Sequence, residues 1–180
     1  MTRKDELAMI RRQGYLEAKN LQQTSSGMTG TELNEKDNMI PDFTEAVKKE
    51  NMLSRKAGQS DGFVCRSSAG RIVRLIQNYD STFYLHSDGT PWEPEELPAQ
   101  YRFVWSTDPA KAKPFIASAT SYYNKGDCCL NKAGQPRRSR IDVNTFDPDV
   151  SPEFWEDPYS DTTLGYDDYY GHDTSGLLEE

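Results

Sequence analysis

A pattern of glycine, cysteine and alanine that occurs twice limits what this chain can fold into. The spacing G-x-x-C-x-x-x-A-G is found, in copies 64 positions apart, at Gly62, Cys65, Ala69 and Gly70 and at Gly126, Cys129, Ala133 and Gly134. Each cysteine lies in a short run suited to a β-strand, and each Ala-Gly pair is a turn signal. The repeat therefore predicts two β-hairpins of one design, with Cys65 and Cys129 buried at equivalent positions.

Composition favours small units over one large core. Only 35% of the residues are hydrophobic and the mean hydropathy is −0.85, so one core for all 180 residues is not expected. After each hairpin a proline-containing loop leads to an aromatic segment, YRFVW in the first copy and PEFW in the second. Because each aromatic ring buries a large apolar area, we expect Trp105 and Trp155 to close the two units as counterparts.

These features predict a mainly β protein with an N-terminal helical arm, two small antiparallel β modules in tandem and a flexible acidic C-terminal tail. The helical arm, an attachment segment, is expected at residues 1–45. The first module, with a loop insertion, is expected at 57–106, a linker at 107–114 and the second module at 115–157. Residues 158–180 form the acidic tail, whose composition predicts disorder.

The N-terminal segment carries helix signals. Residues 2–24 place a narrow apolar stripe at helical spacing, and Thr2 with an acidic residue three positions later resembles a capping box. Gly14 lies within this stripe, so one helix or two shorter helices fit. A second short helix is expected between Thr31, as its N-cap, and Pro41, since the residue before a proline avoids helical backbone.

Charge is divided unevenly along the chain. All 21 Lys and Arg residues precede position 141, whereas 12 of the 29 Asp and Glu residues follow it. A mildly basic body with an acidic tail lacks the concentrated basic face that nucleic-acid binding needs. No apolar run is long enough for a transmembrane helix, and the N-terminus lacks the apolar core of a signal peptide. We therefore expect neither nucleic acid nor membrane as a partner, and synthesis in the cytoplasm.

The three cysteines and two histidines do not predict a metal or redox site. A structural zinc ion needs about four Cys or His ligands, and His172 lies in the acidic tail. An odd cysteine count without a signal peptide indicates reduced thiols. Carboxylates are abundant in the proline-rich loops, but nothing singles out a hydrolytic pair. The sequence therefore predicts no cofactor, no metal and no catalytic residue.

Basic residues on the predicted hairpins have three interpretations. The candidates are Arg66, Arg71, Arg74, Arg137, Arg138 and Arg140. Solvated strand faces are the commonest outcome for such residues, phosphate binding is a second, and pairing with the acidic tail or with acidic neighbours is a third.

The second copy carries a recognisable pattern of its own. Tyr123 precedes Gly126 and Asp127, Cys129 follows, and the copy ends in a proline and Trp155. This pattern resembles small carbohydrate-binding modules of the chitin-binding type-3 kind, which have Val where this chain has Cys129.

The resemblance implies sugar binding by exposed aromatic rings. It points to Tyr123 and Trp155 in the second unit and to Trp105 in the first. Trp92, in a proline-rich loop, is a fourth candidate. Sugars stack their apolar faces on such rings and hydrogen-bond at their edges. The alternative is that Trp105 and Trp155 are core residues that close the hairpins.

Three further segments extend the likeness beyond the hairpins. They are MTGTEL at 28–33, IPDF at 40–43 and TDPAKAKPF at 107–115. Together with the two units they resemble a group of phage and prophage tail-associated proteins of Gram-positive, clostridia-like bacteria.

This second resemblance implies a non-enzymatic virion protein of the tail or baseplate. The arm would bind other tail proteins, the chain would form a homo-oligomer within the particle, and the modules would attach to host cell-wall polysaccharide. The alternative is a purely structural adaptor or decoration protein whose modules no longer bind sugar.

Overall fold

A long helix, α1 (Arg3–Thr24), begins the part of the chain that this computed structural model describes, namely residues 2–48, 62–77 and 79–160. The expected capping box is present: Thr2 Oγ1 accepts from Asp5 N at 3.3 Å, and the Asp5 carboxylate accepts from Thr2 N at 2.9 Å. The helix runs unbroken through Gly14, so the prediction of one helix is confirmed. Every side chain from Thr2 to Glu17 is exposed, and Leu21 is buried.

Two short helices follow α1 and hold its end on the β structure. Helix α2 (Gly30–Glu35) has Thr29 as its N-cap, and the Thr29 side chain forms a capping box with Glu32. The N-cap expected at Thr31 is therefore wrong by two positions. Helix α3 (Phe43–Lys48) begins two residues after Pro41. A core between the helices and the first sheet contains Leu21, Leu33, Ile40, Val64 and Ile72.

The first sheet has three short antiparallel strands in sequential order. They are β1 (Val64–Arg66), β2 (Ile72–Leu75) and β3 (Tyr101–Phe103). Successive side chains of a strand point to opposite faces, so the sheet has one face on the helices, with Val64 and Ile72, and another on a second core, with Cys65 and Val73.

The second sheet has four strands and is not entirely antiparallel. Its strands are β4 (Lys113–Pro114), β5 (Cys128–Leu130), β6 (Pro136–Ser139) and β7 (Trp155–Glu156). Strands β5, β6 and β7 pair antiparallel, as expected, whereas β4 pairs parallel to β5. The expected linker at 107–114 thus contributes its last two residues to the sheet.

The two hairpins place the repeated residues at equivalent positions. Cys65 is the second residue of β1 and Cys129 is the second residue of β5, and both are fully buried, as the repeat predicted. The turns contain Gly70 with φ +73° and Gly134 with φ +75°. Because side chains make this backbone region costly, both turns need glycine.

The aromatic residues that pack at the end of each hairpin are not equivalent in the way that the sequence predicted. Tyr101 lies opposite Leu75 on β2, and Trp155 lies opposite the equivalent position of β6. Phe43 meets Tyr101 edge-on with ring centroids 5.9 Å apart, and Phe115 meets Trp155 edge-on at 6.0 Å. The counterpart of Trp155 is therefore Tyr101 and not Trp105.

The segments STFYLHS and FIASATSYY, whose aromatic and β-branched residues predict strands, have other structures. Residues 81–87 begin with a 3₁₀ turn, Ser81–Phe83, and residues 115–123 make a single bridge at Tyr123. In the second segment the Ser121 hydroxyl accepts a hydrogen bond from Phe103 N at 2.9 Å. Such side-chain hydrogen bonds compete with strand pairing. The disorder expected for 158–180 lies, from residue 161 onward, outside the described residues.

Candidate functional site

Three of the four predicted ligand-binding aromatic residues, Tyr123, Trp155 and Trp105, lie together in one hydrophobic cluster at the second sheet. Tyr123 is 0% exposed and Trp155 is 4% exposed. The Trp105 ring stacks on Tyr123 at 4.1 Å between centroids, and Trp155 meets Tyr123 edge-on at 5.3 Å. In this conformation Tyr123 and Trp155 present no ring face to a ligand, and sugar binding by them stays a prediction.

Hydrogen bonds fix the same rings. The Trp155 indole N–H donates to Phe146 O at 3.0 Å, and the Tyr123 hydroxyl accepts from Ile116 N at 3.3 Å. Burial raises the pKa of Tyr123, with the nearby Cys129 thiol adding to the effect. These contacts are those of a core cluster, so the arrangement matches the alternative in which Trp155 closes the hairpin.

Trp92 lies apart from that cluster, in the loop that joins β2 to β3. Residues 83–92, here called the aromatic hairpin, are joined by hydrogen bonds from Trp92 N to Tyr84 O at 2.9 Å and from His86 N to Thr90 O at 2.8 Å. The turn contains Gly89 with φ +82°. The side chains of the aromatic hairpin are therefore carried on an ordered backbone.

The aromatic hairpin exposes more apolar surface than its tryptophan alone. Phe83 is 79% exposed, Leu85 is 45% exposed and Trp92 is 38% exposed. The Trp92 ring lies 5.9 Å from the His86 ring and 6.4 Å from the Tyr84 ring. Phe83 and Leu85 are not among the predicted ligand-binding residues, because the aromatic and β-branched residues of the segment STFYLHS favour a strand. The S-D-G-T turn beside it was the available signal.

Polar groups surround the aromatic hairpin at close range. His86 Nε2 lies 3.2 Å from Glu96 Oε2, and Glu96 also accepts from Glu93 N at 2.8 Å. The Asp88 carboxylate accepts from the Thr90 hydroxyl and backbone N–H, and these hydrogen bonds lower the pKa of Asp88. Exposed rings edged by hydrogen-bonding groups are what carbohydrate recognition requires.

A cleft of about 270 Å³ lies between the first sheet and the segment leading into the second. Trp105 lines it, and the indole N–H of Trp105 is held by Ser121 O at 3.1 Å and Tyr122 O at 3.0 Å. Arg74 and Arg102, on the neighbouring strands β2 and β3, also line it. The cleft therefore combines aromatic and cationic groups.

The candidate arginines divide by their partners. Arg66 pairs with Asp42 at 2.8 Å, and Arg71 pairs with Glu95 at 3.3 Å. Pairing with acidic neighbours, one of the three interpretations of these arginines, thus applies to part of the set.

The cysteines are in environments that suppress thiolate chemistry. Burial raises the pKa of Cys65, of Cys129 and of Cys128. Cys128 points to the other face of β5 from Cys129, and its sulfur lies 3.4 Å from Thr107 O. A thiol held neutral is a poor nucleophile and a poor metal ligand. Over residues 2–48, 62–77 and 79–160, no three His, Cys, Asp or Glu side chains group as metal ligands.

Comparison of the chain with protein-family models, with curated proteins and with solved structures finds no match. Among the helices of the described ranges, none has both the length and the apolar character needed to cross a membrane.

Proposed function

We propose that this chain is a non-enzymatic, glycan-binding component of a phage tail or baseplate. Its two small β units are tandem modules, the aromatic hairpin contacts host cell-wall polysaccharide, and α1 attaches the protein to other virion proteins. The observation that carries the proposal is the aromatic hairpin itself, since Phe83 and Trp92 are exposed on an ordered backbone beside polar groups.

The equivalence of the hairpins supports the assignment of two tandem modules. Gly62 N donates to Leu75 O at 2.7 Å, and Gly126 N donates to Ser139 O at 2.9 Å. The two donors and the two acceptors are each 64 positions apart, as are the cysteines. Matching main-chain hydrogen bonds at one sequence offset are expected if a single hairpin design was duplicated.

The exposed part of α1 supports the attachment role. Leu7 and Ile10 lie three positions apart and are exposed, as is Tyr15. Residues three and four apart share a helix face, and exposed apolar residues on one helix face indicate a protein contact. Contacts with neighbouring virion proteins and with further copies of this chain within the particle fit this surface.

The carboxylates of the loop insertion support a role without catalysis. Glu95 accepts from the Ser67 hydroxyl at 2.6 Å and pairs with Arg71, and Glu93 accepts from the Ser68 hydroxyl at 2.6 Å. These carboxylates join the loop to the first hairpin. A glycosidase needs one carboxyl group free to protonate the leaving oxygen and a second as base or nucleophile.

A structural adaptor is the second candidate function. The burial of Tyr123 and Trp155 favours it, because the residues that resemble a sugar platform serve as core in the second unit. In that case the aromatic hairpin contacts another virion protein instead of a glycan.

Binding to purified host cell walls separates the two candidates. We expect the wild-type protein to sediment with cell walls and Trp92→Ala and Phe83→Ala to lose most of this binding with unchanged circular dichroism. Tyr159→Ala, which removes another exposed ring, is the matched control and should bind normally. A wild-type protein that binds no wall polysaccharide yet co-purifies with tail particles would establish the adaptor function.

A further inference from the structure

We infer that the cleft between the first sheet and residues 120–127 binds an anionic group, phosphate or carboxylate, of an acidic glycan. The inference rests on the proposed glycan-binding function and specifies its ligand. Its basis is a pair of arginines, Arg74 and Arg102, that lie directly opposite each other on the antiparallel strands β2 and β3. Directly opposed residues share a face of the sheet, and like charges at such positions are destabilising.

Neither arginine forms an ion pair with a carboxylate of the described residues. Arg74 donates to the main-chain oxygen of Ser25 at 2.8 Å. Arg74 is half-buried, and this burial lowers the pKa of its guanidinium. A partly desolvated charge without a counter-ion is costly, so an anion bound here would stabilise the fold.

The second sheet shows how the same position is neutralised. Arg138 is the equivalent of Arg74, and the residue opposite it is Glu156. Arg138 Nη1 lies 3.7 Å from Glu156 Oε1. The two sheets thus differ at this pair: the second contains an internal ion pair, whereas the first has Arg102 where the carboxylate would be. In the first sheet the bound anion therefore supplies the negative charge that Glu156 supplies in the second.

The rest of the cleft suits a sugar residue that carries the anionic group. Trp105 and Tyr122 supply aromatic surface, and Thr120 and Asn124 supply polar groups. The volume of about 270 Å³ is near the lower end of ligand pockets, which suits one small group. One carboxylate, Asp127, also lines the cleft. It accepts from Asn124 N at 2.7 Å, and burial raises the pKa of Asp127, which disfavours its charged form.

The test compares three probes by isothermal titration calorimetry: inorganic phosphate, an oligogalacturonate and a neutral oligosaccharide of N-acetylglucosamine. We expect the wild-type protein to bind the acidic oligosaccharide at least about tenfold more tightly than the neutral one, since hydrogen bonds between charged groups are stronger than neutral ones. Arg102→Glu recreates the Arg-Glu pair of the second sheet, so it should fold and lose the acidic preference. Arg102→Gln removes the positive charge without adding a negative one, and it should also weaken binding of the acidic oligosaccharide.

Arg140→Glu is the matched control, because Arg140 is exposed, has the same charge and does not line the cleft. A loss in Arg140→Glu equal to that in Arg102→Glu would show a general charge effect and overturn the inference. Equal wild-type affinity for acidic and neutral sugars would also overturn it, while binding that depends on Trp92 would leave the proposed function standing. Phosphate binding that depends on Arg102, in a protein that binds no glycan, would overturn the proposed function and keep the anion site.

The acidic C-terminal segment is the competing occupant. Residues 161–180 contain no Lys or Arg and six Asp or Glu residues. If wild-type protein binds neither acidic probe and a protein ending at residue 160 binds both, the tail occupies the cleft and the assignment to a glycan is wrong. Unchanged affinity after truncation supports the glycan.

Discussion

Gly30, the first residue of α2, lies directly against the backbone of Trp105. A Cβ atom placed on Gly30 would be 1.7 Å from the Trp105 carbonyl oxygen and 3.2 Å from the Val104 side chain. This contact sets the distance between the helical segment and the end of β3. Thr31 reinforces it, because its hydroxyl accepts from Thr107 N at 3.0 Å. The MTGTEL segment therefore packs tightly against the residues that follow β3 and fixes their position relative to α2.

We expect Gly30→Ala to destabilise the protein although alanine is the better helix former. The added methyl meets backbone, which cannot rotate away, and overpacking of this kind costs about 1 to 3 kcal/mol. Gly14→Ala is the matched control, since nothing lies within 4 Å of a Cβ at that position, and it should increase helix stability by up to about 1 kcal/mol. Urea unfolding of both variants measures the difference. Equal stability of Gly30→Ala and wild type would show that the close approach of Gly30 to Trp105 does not restrict the residue at position 30.

Truncation of the most buried and of the most exposed tryptophan, Trp155 and Trp92, should have opposite effects on stability and on binding. Trp155 is buried, so Trp155→Ala should lower the free energy of unfolding by about 3 to 5 kcal/mol. Trp92 is exposed at the aromatic hairpin, and Trp92→Ala should change stability by less than about 0.5 kcal/mol while weakening wall binding. Thermal unfolding and the cell-wall assay, applied to both variants, distinguish a core residue from a ligand platform. A stable Trp155→Ala that loses wall binding would contradict the core assignment.

Local signals in the sequence predicted the parts of the fold that depend on neighbouring residues. The capping box at Thr2 and the glycine turns at Gly70 and Gly134 each involve residues a few positions apart, and each is present. The equivalence of Cys65 and Cys129 followed from a repeat with a fixed offset, because a strand position determines which face a side chain occupies.

Nonlocal packing was the part that sequence patterns could not supply. Tyr79 follows its hairpin and Tyr123 precedes its own, yet each meets in the same way the aromatic residue of the strand that pairs with its hairpin, Tyr101 on β3 and Trp155 on β7. Tyr79 lies 5.5 Å from Tyr101, and Tyr123 lies 5.3 Å from Trp155, both edge-on. The sequence prediction paired Trp155 with Trp105 because the segments PEFW and YRFVW both end in tryptophan, and it did not show which aromatic residue pairs with the hairpin. The exposure of Phe83 and the opposed arginines were hidden for the same reason.

Two buried tyrosines should respond oppositely to loss of their hydroxyl groups. The hydroxyl of Tyr101 is buried and has no hydrogen-bond partner within the described part of the chain, whereas the hydroxyl of Tyr123 accepts from Ile116 N. An unsatisfied buried polar group costs about 1 to 3 kcal/mol. Tyr101→Phe should therefore leave the free energy of unfolding unchanged or raise it, and Tyr123→Phe should lower it by about 1 kcal/mol. Chemical denaturation measures both variants, and a clear loss of stability in Tyr101→Phe would count against this core.

The buried thiols should make the protein less stable at alkaline pH. Burial raises the pKa of Cys65 and of Cys129 above the value of about 8.5 of an unfolded thiol. Above that pH the unfolded chain releases protons that the folded chain retains, so the unfolded state binds fewer protons and stability falls as pH rises. Each thiol contributes a slope of up to about 1.4 kcal/mol per pH unit. Below about pH 8 the thiols are neutral in both the folded and the unfolded state, so the stability does not depend on pH through them and is at its full value.

Cys129→Val tests the alkaline effect at one thiol, because valine has a similar size and cannot ionise. The variant should fold, and its stability should fall less steeply than that of the wild type between about pH 8.5 and 10. Urea unfolding across this range measures the slope.

In the native wild-type protein at pH 8, Cys65 and Cys129 should resist alkylation by iodoacetamide, since it reacts with thiolates. Rapid modification of either cysteine without unfolding, or identical slopes for wild type and variant, would show that burial does not hold these thiols neutral.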